Sequence, residues 1–194
     1  NSRLFIVGKK HIHRLTMKIL KKWFVLWFTG LPCAGKTTLA DAVAEKLKEM
    51  WYINIQRLDG DEIRKNLCND LWFSRKDRSK NLERVAYVAK LLSENGVGVL
   101  ASFVSPYKAD RDMIRGMMEN FIEIFVDTSL EVCENRDIKG MYAKARAGII
   151  KEFTGVSDIY ERPENPEIRI FSGGTVEEEC EKIQNYLIAN KSFL

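Results

Sequence analysis

The residues Gly30-Leu31-Pro32-Cys33-Ala34-Gly35-Lys36-Thr37 fit the spacing G-x-x-x-x-G-K-[ST], the pattern of a loop whose backbone N–H groups cradle a polyphosphate. The chemistry asked of such a loop is electrostatic. Lys36 is placed to reach the β- and γ-phosphates and the Thr37 hydroxyl to ligate Mg²⁺, with Thr38 completing the nucleotide-binding run. A second constellation, Asp59-Gly60-Asp61, sets two carboxylates either side of a glycine. Asp59 can join Thr37 at the metal through water, and Asp61 can orient or deprotonate an acceptor hydroxyl. A purely structural role for the same pair makes Asp61 the N-cap of a helix over Glu62 to Leu67 and Asp59 a solvated turn residue.

Chemistry of this kind requires elements that converge on one place. Apolar runs recur at Trp23 to Phe28, Ile53 to Leu58, Val97 to Val104, Phe121 to Val126 and, more weakly, Ile168 to Phe171, with helical spacing between them. That alternation predicts an α/β fold, a parallel five-stranded sheet with helices on both faces. In open sheets of this type ligands bind beyond the carboxyl ends of the strands. The rule selects the phosphate loop, Asp59 to Asp61, Ser105-Pro106-Tyr107, and Asp127-Thr128.

A helix is expected from Thr37 to Met50. Another begins at Ser74, paired with Asp77 as a capping box, and stops at Asn95-Gly96; Leu82, Val85, Ala86, Ala89 and Leu92 form its buried stripe. A last helix, Val176 to Ala189, places Val176, Cys180, Ile183 and Leu187 on one packing face. Between the fourth and fifth strands lies a long polar segment, Asn135 to Asn165, with Gly140, Gly148 and Gly155. Its length and glycines predict a lid.

The 194 residues suit one domain, read as 17–194 from the plausible start Met17, with residues 1–16 a basic and mobile extension containing the His11 and His13 pair. A net charge of +4 spread through mixed acidic and basic residues gives no nucleic-acid signature, and the longest apolar run is too short to cross a bilayer. Cys33, Cys68, Cys133 and Cys180 are far apart and form no C-x-x-C pair, which argues against zinc. Reduced thiols in a cytoplasmic protein are expected.

Seven segments in order then carry a resemblance covering Phe24 to Ile170. They are Leu58 to Arg64, Asp70 to Ser74 with Asp77-Arg78, Phe103 to Tyr107, Phe125 to Thr128 with Leu130 to Glu134, Lys144 to Gly148, Lys151 to Gly155, and Pro163 to Glu167. Together they resemble adenylyl-sulfate kinases. The resemblance implies a phosphate-loop kinase fold with a lid, ATP and Mg²⁺, the substrate adenylyl sulfate, a homodimer, and in some settings a sulfurylase partner. By position, Arg64, Arg78 and Asn81 match residues for the substrate's anionic and polar groups, alongside Asp59, Asp61 and Pro106. Phe73 and Phe153 match the aromatic pair that sandwiches adenine. Lys144 and Arg146 match basic lid residues, Arg146 on the nucleotide side. Ser105 matches a serine that some bacterial members carry phosphorylated. Core aromatics and solvated surface charges are the structural alternatives for these positions. The chain departs from the family pattern at Asn66-Leu67-Cys68, at Trp72 and at Ile149, which concerns the acceptor pocket and lid.

Overall fold

The protein is described here by a computed structural model that covers residues 23–190; the expected extension at 1–16 lies outside the described residues. Five strands form the sheet: β1 (Val25–Thr29), β2 (Ile55–Asp59), β3 (Gly98–Ser102), β4 (Phe121–Asp127) and β5 (Ile168–Phe171). All neighbours run parallel in the order β2-β3-β1-β4-β5. Each of the first four is therefore followed by a crossover, and all carboxyl ends lie on one edge.

Seven helices complete the described chain: α1 (Lys36–Glu49), α2 (Gly60–Asn66), α3 (Arg75–Glu94), α4 (Lys108–Gly116), α5 (Leu130–Arg136), α6 (Met141–Arg146) and α7 (Val176–Ala189). The central strands alternate their side chains between two cores. Leu26, Phe28, Leu100 and Ile124 meet Leu39, Val43 and Leu47 of α1 and Ile183 and Leu187 of α7. On the other face Val25, Trp27, Val99 and Ala101 meet Leu82, Val85 and Ala86 of α3 and Ile114 of α4. A strand buried on both faces reads as an unbroken apolar run, which is why β1 was so plain in the sequence. Among the described residues no helix is long and apolar enough to cross a membrane.

The differences from expectation have local causes. Helices α4, α5 and α6 were not foreseen as separate elements; the expected lid holds all of α6 and the end of α5, and its Tyr142, Ala145 and Phe153 are buried. Asp59, not Asp61, caps α2, its carboxylate accepting the Asp61 N–H at 3.0 Å. Val176 does not join the packing face of α7 and is 38% exposed, because it follows the N-cap Thr175, where a full capping box with Glu178 aims the first turn at solvent.

At α3 only half of the expected capping box forms. Ser74 Oγ accepts from the Asp77 N–H at 3.2 Å, but Asp77 returns through a bond with the Ser74 hydroxyl at 2.8 Å, not with its backbone. Ser74→Ala removes both and should lower stability by about 1 kcal/mol. Urea unfolding checks this; an unchanged midpoint would show that water replaces the cap without loss.

Candidate active site

The chain turns from β1 to α1 through the loop Gly30 to Gly35, and its course is dictated by carbonyls. Gly30 O and Leu31 O accept from Lys36 Nζ at 3.0 and 2.7 Å. Pro32 O accepts from the Tyr142 hydroxyl at 3.0 Å. Cys33 O and Ala34 O accept from Arg136 Nη1 at 3.3 and 3.2 Å, and Ala34 O also from Thr128 Oγ1 at 2.9 Å. All five carbonyls thus have donors, which leaves the loop's remaining N–H groups as its hydrogen-bonding face, the arrangement of an anion-binding nest. Gly30 is required here. A Cβ on it would stand 2.6 Å from the Val126 carbonyl oxygen, at φ +150°.

Lys36 is 8% exposed, and burial pulls its ammonium down from 10.5 to about 8. Thr37 Oγ1 donates to Asp59 Oδ2 at 2.9 Å, so the hydroxyl and carboxylate expected at Mg²⁺ are already neighbours. Arg57, ion-paired with Asp41, lies 3.9 Å from the same Asp59 oxygen. Register pairing sets Ser102 of β3 opposite Asp59, and the Ser102 hydroxyl is buried with no hydrogen-bond partner. Asp61 is ion-paired with Lys139, which reaches over from the chain between α5 and α6.

Further along the same edge lie the residues matched to an acceptor. Arg64 stands over the Phe73 ring at 4.5 Å and donates to Trp72 O at 3.2 Å. Burial first, then the like charge of Arg78, hold the Arg64 guanidinium below its ordinary value. Arg78 donates to Phe73 O at 2.8 Å, to Thr154 Oγ1 at 3.2 Å and to Glu152 O at 2.5 Å, which ties the lid to α3. Neither guanidinium is paired with a carboxylate among the described residues. Asn81, one turn on from Arg78, is 3% exposed, and its Oδ1 has no partner. Two cations short of acids and an orphaned acceptor, around an aromatic ring that is 49% exposed, are what a polar, anionic, ring-bearing ligand would satisfy.

Other matched residues sit less openly. Phe153 is buried edge-on against Tyr142, with ring centroids 5.0 Å apart. Ser105 is buried beside Pro106, its hydroxyl accepting from Trp27 Nε1 at 3.1 Å and donating to Thr29 Oγ1 at 2.9 Å. Arg146 bonds Glu134 at 3.1 Å, and Lys144 and Thr38 are exposed. Cys68, read as a departure near the acceptor, is fully buried. Ile149 and Trp72 are exposed. Thr128 lies at a strand end that the sequence did select, whereas Arg136, Lys139 and Tyr142 were not singled out as site residues. Tyr142 left a trace, since a tyrosine on an apolar helix face must find a partner for its hydroxyl.

Known proteins are similar to this chain over most of its length. Residues 22–171 match the family model for adenylylsulphate kinase. A probable adenylyl-sulfate kinase of Pseudomonas aeruginosa is 60% identical over 147 residues, 76% of this chain and 68% of that one. An adenylyl-sulfate kinase of Halothermothrix orenii is 50% identical over 168 residues, 86% of this chain and 90% of that one. Among solved structures, the Mycobacterium tuberculosis APS kinase CysC in complex with AMPPNP and APS superposes with a TM-score of 0.83 at 40% identity, covering 86% of this chain and 98% of that chain.

The lowered Lys36 value has a sign that can be followed. A polyphosphate in the loop raises the pKa again, so the affinity it gains from Lys36 is complete below about 8 and is lost as pH climbs from there towards the bound value. ATP affinity should fall by up to about tenfold per pH unit above that point, while Lys36→Arg, charged throughout, should stay nearly flat. Calorimetric titration from about pH 7 to about pH 9.5 checks this. Equal affinity across the range in the unaltered protein would contradict it.

Proposed function

The chain belongs to the adenylylsulphate kinase family, and on that premise we propose how its residues transfer the γ-phosphoryl group of ATP to the 3′-hydroxyl of adenylyl sulfate. The activity is that of an adenylyl-sulfate kinase, and the products are 3′-phosphoadenylyl sulfate and ADP. The observation that carries the acceptor assignment is the cluster of Arg64, Phe73, Arg78 and the unpaired Asn81 Oδ1, on the same sheet edge as the phosphate loop. It offers cationic forks for a phosphosulfate and a ring face for adenine.

In this reading Lys36 leaves the carbonyls of Gly30 and Leu31 for the β- and γ-phosphate oxygens, trading neutral acceptors for charged ones. Thr37 and Asp59 are the residues that would hold Mg²⁺, which when bound neutralises charge on the phosphates. The donor set fits a hard cation: a hydroxyl and a carboxylate already in contact, with the unpartnered Ser102 hydroxyl beside them. Asp61 accepts the proton of the 3′-hydroxyl as the new oxygen–phosphorus bond forms and the bond to the β-phosphate oxygen breaks. Lys139, ion-paired with Asp61, brings a lid cation close to the transferring group. Arg146 and Lys144 add charge from α6. Little covalent work falls to the protein, so positioning and charge stabilisation account for the rate. The same reading makes the protein a homodimer, as the resemblance implies, and its free cysteines fit the cytoplasm.

ADP release from Mg·ATP, measured with adenylyl sulfate and with a panel of other hydroxyl compounds, tests the reading. Adenylyl sulfate should be preferred, and turnover of another acceptor with adenylyl sulfate inert would remove it. Lys36→Ala should cut turnover about a hundredfold or more in a folded protein, the scale of losing one preorganised charge contact. Near-normal turnover would exclude Lys36 from the chemistry.

The two matched phenylalanines should part company. Phe73→Ala should weaken adenylyl sulfate more than ATP with little loss of stability. Phe153→Ala, in contrast, should also destabilise the fold by about 3 kcal/mol or more, because it empties a buried site against Tyr142. Calorimetry with both ligands, beside thermal melts, separates the outcomes; equal loss of both ligands in Phe73→Ala would place its ring outside the acceptor site.

A further inference from the structure

We propose that Arg111 is a positioning residue for the acceptor: its guanidinium clamps the turn Ser105-Pro106-Tyr107 to the chain returning from the lid, fixing the pocket before substrate arrives. The inference rests on the reaction assigned above and concerns a residue that no part of that assignment uses.

Arg111 lies on α4 and is 3% exposed, an uncommon setting for a cation. Each arm of its fork faces an acceptor, two through hydrogen bonds and Nε through an ion pair alone, since Glu123 Oε1 has no hydrogen-bond partner. Nε faces Glu123 Oε1 of β4 at 3.0 Å, Nη1 donates to Ser105 O at 2.8 Å and Nη2 to Glu161 O at 2.5 Å. A buried ion pair alone is a weak reason to keep such charges in a core, since apolar replacements of similar volume often serve as well. The two carbonyls supply a better one. They belong to segments far apart in sequence, and a planar guanidinium can reach both at a fixed angle where an ammonium cannot.

The clamped turn needs holding. Ser105 has φ +40°, in the left-handed region that non-glycine residues adopt only where surrounding contacts determine it. Three further struts join the same two segments. The Glu161 N–H donates to Pro106 O at 2.8 Å, the Lys108 N–H to Glu161 Oε2 at 2.5 Å, and the Tyr107 hydroxyl to Asp158 Oδ2 at 2.6 Å.

From Asp158 the chain of contacts continues to the acceptor cluster. The N–H groups of Val156, Ser157 and Asp158 all converge on Phe153 O, and the Gly155 N–H donates to Asp158 O at 2.8 Å, so Phe153 to Asp158 is one tight turn. Its Thr154 hydroxyl accepts from Arg78 at 3.2 Å. Arg111 thereby anchors, through Ser105 and Glu161, both the strand-end turn and the lid residues that meet Arg78.

Steady-state kinetics and melts on three variants test the clamp. Arg111→Lys keeps a charge beside Glu123 but loses the double reach, and should raise KM for adenylyl sulfate about tenfold while KM for ATP stays within about twofold. Glu123→Gln removes the ion pairs with both Arg111 and Arg115 but spares both carbonyl bonds, so it should melt lower with KM for adenylyl sulfate within about twofold of the unaltered protein. Tyr107→Phe removes a parallel strut and should shift the same KM in the same direction as Arg111→Lys.

An unchanged KM in Arg111→Lys overturns the proposal, as does a rise in Glu123→Gln equal to that in Arg111→Lys, which would mark a loss of stability alone. Should Arg111→Lys fail to fold, Tyr107→Phe decides, and an unaltered KM there overturns the clamp. Absence of turnover with adenylyl sulfate in the unaltered protein is a different failure, that of the assigned reaction, and the clamp falls with it.

Discussion

Five consecutive backbone carbonyls, Gly30 to Ala34, demand donors before a phosphate arrives, and meeting that demand leaves the N–H groups of the loop between β1 and α1 to face it. The rest of the site follows from how that demand is met. Lys36 serves two of the carbonyls, α6 sends Tyr142 to the third, α5 sends Arg136 to the last two, and Thr128 at the end of β4 secures Ala34. A buried carbonyl left unpaired would cost about as much as a lost hydrogen bond, so these donors are part of the loop as much as its own residues are. The neighbour of β1 contributes by shape as well, since the Val126 carbonyl leaves room at position 30 for glycine alone.

The lid is consequently less independent than a polar, glycine-bearing insertion implies. Tyr142 and Phe153 pack into the α1 core, Gly155 fits against Leu31 of the phosphate loop, and Arg78 holds Glu152 and Thr154 to α3. Several groups assigned to ligands are already occupied within the protein: Lys36 by carbonyls, Asp61 by Lys139, and Arg78 by the lid backbone. Binding therefore exchanges contacts more than it creates them. That keeps the buried Lys36, the half-buried Arg78 and the exposed Asp61 all partnered, and spends the stronger charged interactions on substrates.

What the sequence could reveal follows the range of the interactions involved. The phosphate loop, the doubly buried β1 and the helix begun by Ser74 are set by residues within a few positions of one another, and all three stood out. The parallel sheet follows from the alternation of apolar runs with helical spacing, though its strand order was not read, and the gathering of Asp59, Arg64, Arg78 and Asn81 on one edge follows from the strand-end rule and the resemblance together. The carbonyl donors Arg136 and Tyr142 lie a hundred residues from the loop they serve, and no local pattern announces them. Helix α4 was hidden because its apolar content is low and its buried face carries Asp110 and Arg111. The exposed Val176 shows the reverse case, where helical spacing named a packing residue that the capping geometry turns outward.

The central claim is that this edge of the sheet moves one phosphoryl group from ATP to a ribose 3′-oxygen. Phosphorus NMR of the products formed from ATP and adenylyl sulfate reads the outcome directly. The account predicts a new phosphomonoester on the 3′-carbon of adenylyl sulfate, in step with ADP and with no matching inorganic phosphate. Phosphate released at the same rate with or without adenylyl sulfate, or a phosphoryl group on any other oxygen, would contradict it.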